Sequence, residues 1–161
     1  MVGMGDGQFD PDGTTTRAMI VSMLHRMEGE PQTAVETPFE DVEKDAWYAD
    51  GVAWAQANGI VYGVGEGLFA PMEQLTREQL VTILWRYAAF KGIDTSAGEQ
   101  KQLSDFDDVE LISKWAAKAF NWAVDAGIIS GVGERKISPQ TDASRAQAAT
   151  MLMRYSVRVA P

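Results

Sequence analysis

The sequence has 161 residues, 45% of them hydrophobic, which suits one domain or one short array around a buried core and argues against disorder. Its 14 Lys and Arg stand against 23 Asp and Glu, a net charge of -9, which argues against nucleic acid and against an anionic membrane as main partners. With no cysteine there is neither a disulfide framework nor a thiolate metal site, and no apolar run approaches the roughly 20 residues that span a bilayer.

In chain order, Met1-Val2-Gly3-Met4 has neither the basic nor the apolar region of a secretory leader. A glycine-rich turn segment follows, closing on Asp10-Pro11-Asp12-Gly13. Thr16 reads as an N-cap, and Ile20, Met23, Leu24 and Met27 at i, i+3, i+4, i+7 predict an amphipathic helix ending near Gly29. We call this type the B helix. Residues 28–38 read as a polar linker. Phe39-Glu40-Asp41-Val42 then opens a segment whose Trp47, Gly51, Trp54 and Asn58-Gly59 predict a short A helix with both tryptophans on one face and a glycine C-cap. Thr76 caps a second B helix with the stripe Leu80, Ile83, Leu84 and Tyr87. After a second polar linker at 91–103, Phe106-Asp107-Asp108-Val109, Trp115, Trp122 and Gly127 predict a third-unit A helix. Ser144 caps a last B helix with Ala148, Met151, Leu152 and Tyr155.

These elements are repeats. The stretch Gly63-Val64-Gly65 to Phe69 and Pro71, then Thr76-Arg77-Glu78-Gln79, has counterparts in Gly3-Met4-Gly5 to Phe9, Pro11 and Thr16-Arg17, and in Gly131-Val132-Gly133, Ile137, Pro139 and Ser144-Arg145-Ala146-Gln147. The first unit holds only its turn and its B helix. Because each helix has one apolar stripe, about three units are needed to close a shared core. On this reading Met1 is an internal methionine or a fragment boundary, and the B helix that begins after Thr16 is expected to lack its A helix, to expose apolar surface, and so either to be less stable than a form extended upstream by a Trp-bearing half-unit or to self-associate there.

Thr76 with Gln79 and Ser144 with Gln147 match reciprocal capping boxes, whereas Met19 leaves Thr16 a simple cap. Arg17, Arg77 and Arg145 each take the first helical position, which the helix dipole disfavours for a cation. Two readings fit. Free N–H groups and a guanidinium fork can hold a carboxylate or phosphate, or the arginine can tie neighbouring units together through an acid. Of each tryptophan pair, Trp54 and Trp122 read as core, while Trp47 and Trp115, nearer the loop edge, are the candidates for stacking on a sugar. The glycine run lacks the preceding strand and the Gly-Lys-Ser or Gly-Lys-Thr of a nucleotide loop, and no loop has the acidic set of a calcium site, so neither cofactor nor metal is expected. Asp105, Asp107 and Asp108 read as loop and cap residues. The single histidine, His25, reads as a surface or edge residue without a catalytic motif.

Taken together, Phe-x-Asp-Val, Trp-Tyr-Ala, Gly-Ile-Val-x-Gly, Phe-x-Pro and Thr-Arg-Glu-Gln resemble the S-layer homology domain of bacterial surface proteins. The resemblance covers 3–28 as the latter half of one motif, 39–90 as a second and 106–157 as a third. It implies one all-α domain over 1–161: a pseudo-trimeric array of helix-turn-helix units, with a central helical bundle, three loop-rich lobes and polysaccharide held in grooves between units. It further implies a non-catalytic anchor, extracellular in the cell wall or S-layer. Its partner would be a secondary cell-wall polysaccharide or another peptidoglycan-associated polymer, often bearing a pyruvate ketal, without nucleic acid or membrane insertion. The residues that match the family's helix-start signature are Thr16, Arg17, Thr76, Arg77, Glu78, Ser144 and Arg145, with Trp47 and Trp115 as the leading aromatics. The alternative is a structural or protein-interaction module on the same repeats, without glycan binding. The third unit departs from the pattern, with Arg135-Lys136-Ile137 where a glycine and a phenylalanine are expected.

Overall fold

The computed structural model describes residues 10–96, 100–133 and 135–159. It is all-α: α1 (Arg17–Met27), α2 (Ala49–Ala57), α3 (Arg77–Phe90), α4 (Ala117–Asp125) and α5 (Arg145–Arg158), with 3-10 turns at Gln100–Asp105 and Val109–Leu111. The first of these turns falls partly in the stretch read as a plain linker. The turn Gly3 to Phe9 lies outside the described residues. The caps form as expected: Thr16 accepts from the Met19 N–H, and Thr76 with Gln79 and Ser144 with Gln147 make both bonds of the capping box.

The three helix starts meet in a ring. The Thr15 N–H donates to Ala143 O at 2.9 Å, Ala143 to Leu75 O at 2.8 Å and Leu75 to Thr15 O at 2.9 Å, closing a cycle of three residues that each precede an N-cap. The next donors extend the cycle outward. Arg17 and Ala18 donate to Glu73 O and Pro71 O, Arg77 and Glu78 to Thr141 O and Pro139 O, and Arg145 and Ala146 to Gly13 O and Pro11 O. Every B helix thus has the first N–H groups of its opening turn satisfied by the loop of the following unit, with the third unit returning to the first. This is the pseudo-three-fold arrangement that the family resemblance implies.

Behind the ring Ile20, Leu24, Leu80, Leu84, Ala148 and Leu152 are buried together, and the rings of Tyr87 and Tyr155 meet at 5.3 Å. Met27, the last member of the first stripe, is 43% exposed. Beside it Glu28 accepts from the Tyr87 hydroxyl and pairs with Lys91 at 2.9 Å, joining the end of α1 to α3. Partial burial pushes the Glu28 carboxyl up, but the bonds from Tyr87 and Lys91 outweigh it and hold the group below the usual carboxylate range. A carboxylate depressed in the folded state stabilises above its unfolded pKa, and that stability is lost as pH falls through the folded value. The denaturant midpoint should therefore fall less steeply between pH 6 and pH 3 in Glu28→Gln than in the parent protein.

The A helices pack on the preceding unit's B helix: α2 lies along α1, and α4 along α3. Close approach is built in at Gly51, where a Cβ would come within 3.3 Å of Ser22 Cα. Trp54 (3% exposed) sits at this contact, with ring partners His25 at 5.5 Å, Phe90 at 5.7 Å and Tyr87 at 6.5 Å. His25 is therefore not the surface residue expected. It is 6% exposed, and its Nε2 lies 3.0 Å from Pro31 O, because α2 covers the helix flank that carries it. The same packing corrects the expectation of a bare first B helix. An A helix serves the unit before its own, so α1 is covered by α2, and among the described residues the flank without such a neighbour is that of α5.

The Phe-x-Asp-Val segments clamp the turns of their own units. Asp41 accepts from the Phe69 and Ala70 N–H groups at 2.8 and 2.7 Å, and Asp108 from Ile137 and Ser138 at 2.9 and 2.8 Å. Ala70 and Ser138 have φ of 56° and 46°, a left-handed conformation costly for residues with a Cβ, so the carboxylates hold a strained corner in place. Asp41→Asn, which keeps one acceptor and turns the other into a donor, should lower stability by about 1.5 kcal/mol, read from the denaturant midpoint.

Candidate functional site

The helix-start arginines are buried: Arg17 is 8% exposed, Arg77 2% and Arg145 5%. The Arg17 Nε donates to Phe69 O and one Nη to Tyr62 O, both at 2.7 Å, and the guanidinium lies 4.5 Å from the centre of the Phe69 ring. The Arg77 Nε donates to Ile137 O at 2.8 Å. Each arginine reaches the glycine turn of the following unit, and in the third unit Ile137 (fully buried) takes the place of Phe69. The side chain of Arg145 lies against Gly13 of the first unit, in line with the same cycle.

The N–H groups expected to be open to an anion are not free. The first two of each helix donate to the neighbouring loop and the third to its own cap, so the protein itself fills the anion-binding geometry of the helix start. Glu78 is likewise engaged: it is 5% exposed and accepts from the Ser113 hydroxyl and N–H at 2.8 and 3.0 Å, tying α3 to the approach to α4. Thr16, Thr76 and Ser144 serve as caps.

What remains is the guanidinium charge. Among the described residues neither Arg17 nor Arg77 has a carboxylate within ion-pair distance. Burial pulls the Arg77 pKa down to about 10, a shift that the more distant Asp108 opposes, and burial lowers Arg17 in the same way. Both stay protonated at neutral pH, as desolvated cations that an incoming anion would stabilise.

Arg77 lies beside an open groove. Around Arg77 the groove is walled by the turn at 128–132 and by Ala146, Thr150 and Arg154 of α5. Arg154 is held by Ile128 O at 3.2 Å and the Ser130 hydroxyl at 2.9 Å. In the corresponding place near Arg17, the Arg86 guanidinium stacks over the Tyr62 ring at 4.7 Å, and its charge is among those that lower the Arg17 pKa. Arg154 therefore shares the groove of Arg77, and Arg86 stands near Arg17, whereas the sequence reading named only the helix-start arginines. The signal was available, since Arg26, Arg86 and Arg154 each follow a helix-start arginine by nine residues. In the first unit Arg26 instead faces Glu30 at 3.7 Å.

Trp47 and Trp115 stand at the surface, 58% and 55% exposed, while Trp54 and Trp122 are buried at 3% and 4%. The split expected within each pair is observed, but its geometry differs. Trp47 and Trp115 lie in the turns ahead of α2 and α4 rather than on a helix face shared with their partners. Trp47 lines a shallow groove with Ser22, His25, Arg26 and Asp50, not with Arg17. Among the described residues no three His, Cys, Asp or Glu side chains gather as metal ligands, and no helix is long and apolar enough to cross a membrane.

Fold and site define a cyclic helical repeat module with a cationic groove between its second and third units. The S-layer homology domain family model matches residues 38–81 and 105–149, and the chain belongs to that family. It is 31% identical over 150 residues to the exoglucanase XynX of Acetivibrio thermocellus, covering 93% of this chain and 14% of that protein. Against the surface-layer 125 kDa protein of Lysinibacillus sphaericus it is 32% identical over 156 residues, 94% of this chain and 12% of that one. Against the cellulosome-anchoring protein of Acetivibrio thermocellus it is 23% identical over 157 residues, 94% and 34%. The chain spans about a third or less of these relatives, so the activities in their names belong to those proteins. The family and the relatives' names make this chain a cell-surface anchoring module.

Proposed function

We propose that the module is non-catalytic and binds an anionic secondary cell-wall polysaccharide, one whose acidic substituent is a carboxylate such as a pyruvate ketal, in the grooves between its units. The observation that carries this reading is the buried charge of Arg77, which has no carboxylate within ion-pair distance among the described residues and opens on a groove that also holds Arg154. A carboxylate entering there neutralises a cation already desolvated and meets a second guanidinium across the groove. Hydroxyls of the sugar ring find acceptors and donors in the turn backbones, and Trp47 and Trp115 offer apolar faces at the rim of the module. Arg145 lies against Gly13 of the first unit.

The competing reading, a structural or protein-interaction module, draws on one observation: the Nε atoms of Arg17 and Arg77 already tie neighbouring units through Phe69 O and Ile137 O. The two readings separate on the polymer. Purified cell-wall polymer should pull the protein down, and removing its acidic substituents chemically should release most of it. Retention that ignores this treatment would count against the carboxylate, and no retention of either polymer would favour the competing reading.

A further inference from the structure

The arginine that follows each helix-start arginine meets a different partner in each unit. Arg26 faces Glu30 at 3.7 Å, so its charge is matched within its own unit. Arg86 rests its guanidinium face on the Tyr62 ring and, among the described residues, makes no hydrogen bond through any of its nitrogens. Arg154 is held by one nitrogen alone. Its Nη1 donates to Ile128 O at 3.2 Å and to the Ser130 hydroxyl at 2.9 Å, while Nε and Nη2 have no partner among the described residues. The difference between Arg86 and Arg154 traces to one position, because Tyr62 and Ser130 take the same place directly ahead of the turn glycines Gly63 and Gly131. Nη1 is the nitrogen on the Cδ side of the guanidinium, so engaging it leaves the opposite edge intact. That edge, Nε with Nη2, is a side-on fork whose two parallel N–H groups match the two oxygens of a carboxylate.

We propose that Ser130 is a positioning residue of the Arg77 groove: by holding Nη1 of Arg154 it presents the Nε–Nη2 edge as the bidentate seat of the polymer's carboxylate. This rests on the functional reading above and names the contact that makes the groove selective for an acid. Arg77 supplies a second edge. Its Nε is bound to Ile137 O, which leaves Nη1 and Nη2 without a hydrogen bond among the described residues, and both arginines line the same groove. A planar carboxylate accepts two parallel bonds from Arg154 and a further one from Arg77, an arrangement that a neutral ring hydroxyl, with its single oxygen, does not match. At Tyr62 the aromatic ring takes the guanidinium by its face instead, so no edge of Arg86 is fixed in this way.

The test is calorimetric titration of intact and de-acidified cell-wall polymer into the parent chain, Ser130→Ala, Ser130→Thr and Arg154→Lys. Ser130→Ala should weaken binding of the intact polymer by about three- to tenfold, the worth of one hydrogen bond, and change the weaker binding of the de-acidified polymer by less than about twofold. Ser130→Thr, which keeps the hydroxyl, should recover the loss. Arg154→Lys keeps the charge but not the fork, so it should lose at least about tenfold on the intact polymer. Ser130 is exposed, so the thermal midpoint of Ser130→Ala should stay that of the parent, which separates positioning from a loss of fold. A Ser130→Ala loss that is equal on both polymers overturns the proposal, since the hydroxyl would then meet the sugar directly, and so does an Arg154→Lys variant that binds like the parent. Failure of the functional reading shows elsewhere: the parent chain itself would bind the two polymers alike, and the proposal would fall with it.

Discussion

Replacing Trp54 by alanine should lower stability by about 3–5 kcal/mol, a large part of the roughly 5–15 kcal/mol that holds a domain folded. Trp54 is 3% exposed and packs its indole among His25, Tyr87 and Phe90, so one side chain bridges α2, the first unit's B helix and the second's. Its loss opens a cavity at the point where two units meet, and the surroundings close over it only in part. The other member of the pair behaves oppositely. Trp47→Ala, at 58% exposure, should change stability by no more than about 0.5 kcal/mol. Urea denaturation of the two variants checks both; equal losses would contradict the division of the tryptophans into core and surface.

The second large effect falls on Arg77. Arg77→Met should weaken polymer binding by about 1.5–3 kcal/mol, roughly 10- to 150-fold, as expected for loss of a charge-assisted contact. An arginine that served an anion alone could be replaced with the fold almost untouched. The structure does not agree, because the Arg77 Nε bonds to Ile137 O at a 2% exposed site, and losing that donor should cost about 1–3 kcal/mol of stability. Affinity is therefore to be read well below the thermal midpoint of each variant. Arg77→Lys separates the roles: it keeps a cation without the guanidinium fork, so it should retain part of the affinity while losing a similar amount of stability.

Local chemistry made much of this fold legible. Caps at Thr16, Thr76 and Ser144 and the stripes from Ile20, Leu80 and Ala148 follow from hydrogen-bond reach and the 3.6-residue period, which act within a few residues. The spacing of Trp47 and Trp54 misleads because α2 begins only at Ala49. Tyr48 makes no side-chain cap bond there, so nothing in the local pattern marks the start. Which B helix each A helix covers was not legible at all, since packing within a unit and packing on the preceding unit bury similar stripes. That ambiguity displaced the bare flank from α5 to α1. The arginines were recognised by their repetition, but their acceptors, Tyr62 O, Phe69 O and Ile137 O, lie 45, 52 and 60 residues away, and a backbone carbonyl leaves no mark in the sequence.

The central claim is that buried groove arginines hold the acidic groups of a wall polymer. Calorimetric titration of intact and de-acidified polymer into the parent protein and into Arg77→Met tests it most directly. The account predicts that removing the acids and removing the arginine each weaken binding, and that together they weaken it by less than the sum, because both delete one contact. Fully additive losses, or an intact polymer that binds Arg77→Met as tightly as the parent, would contradict it.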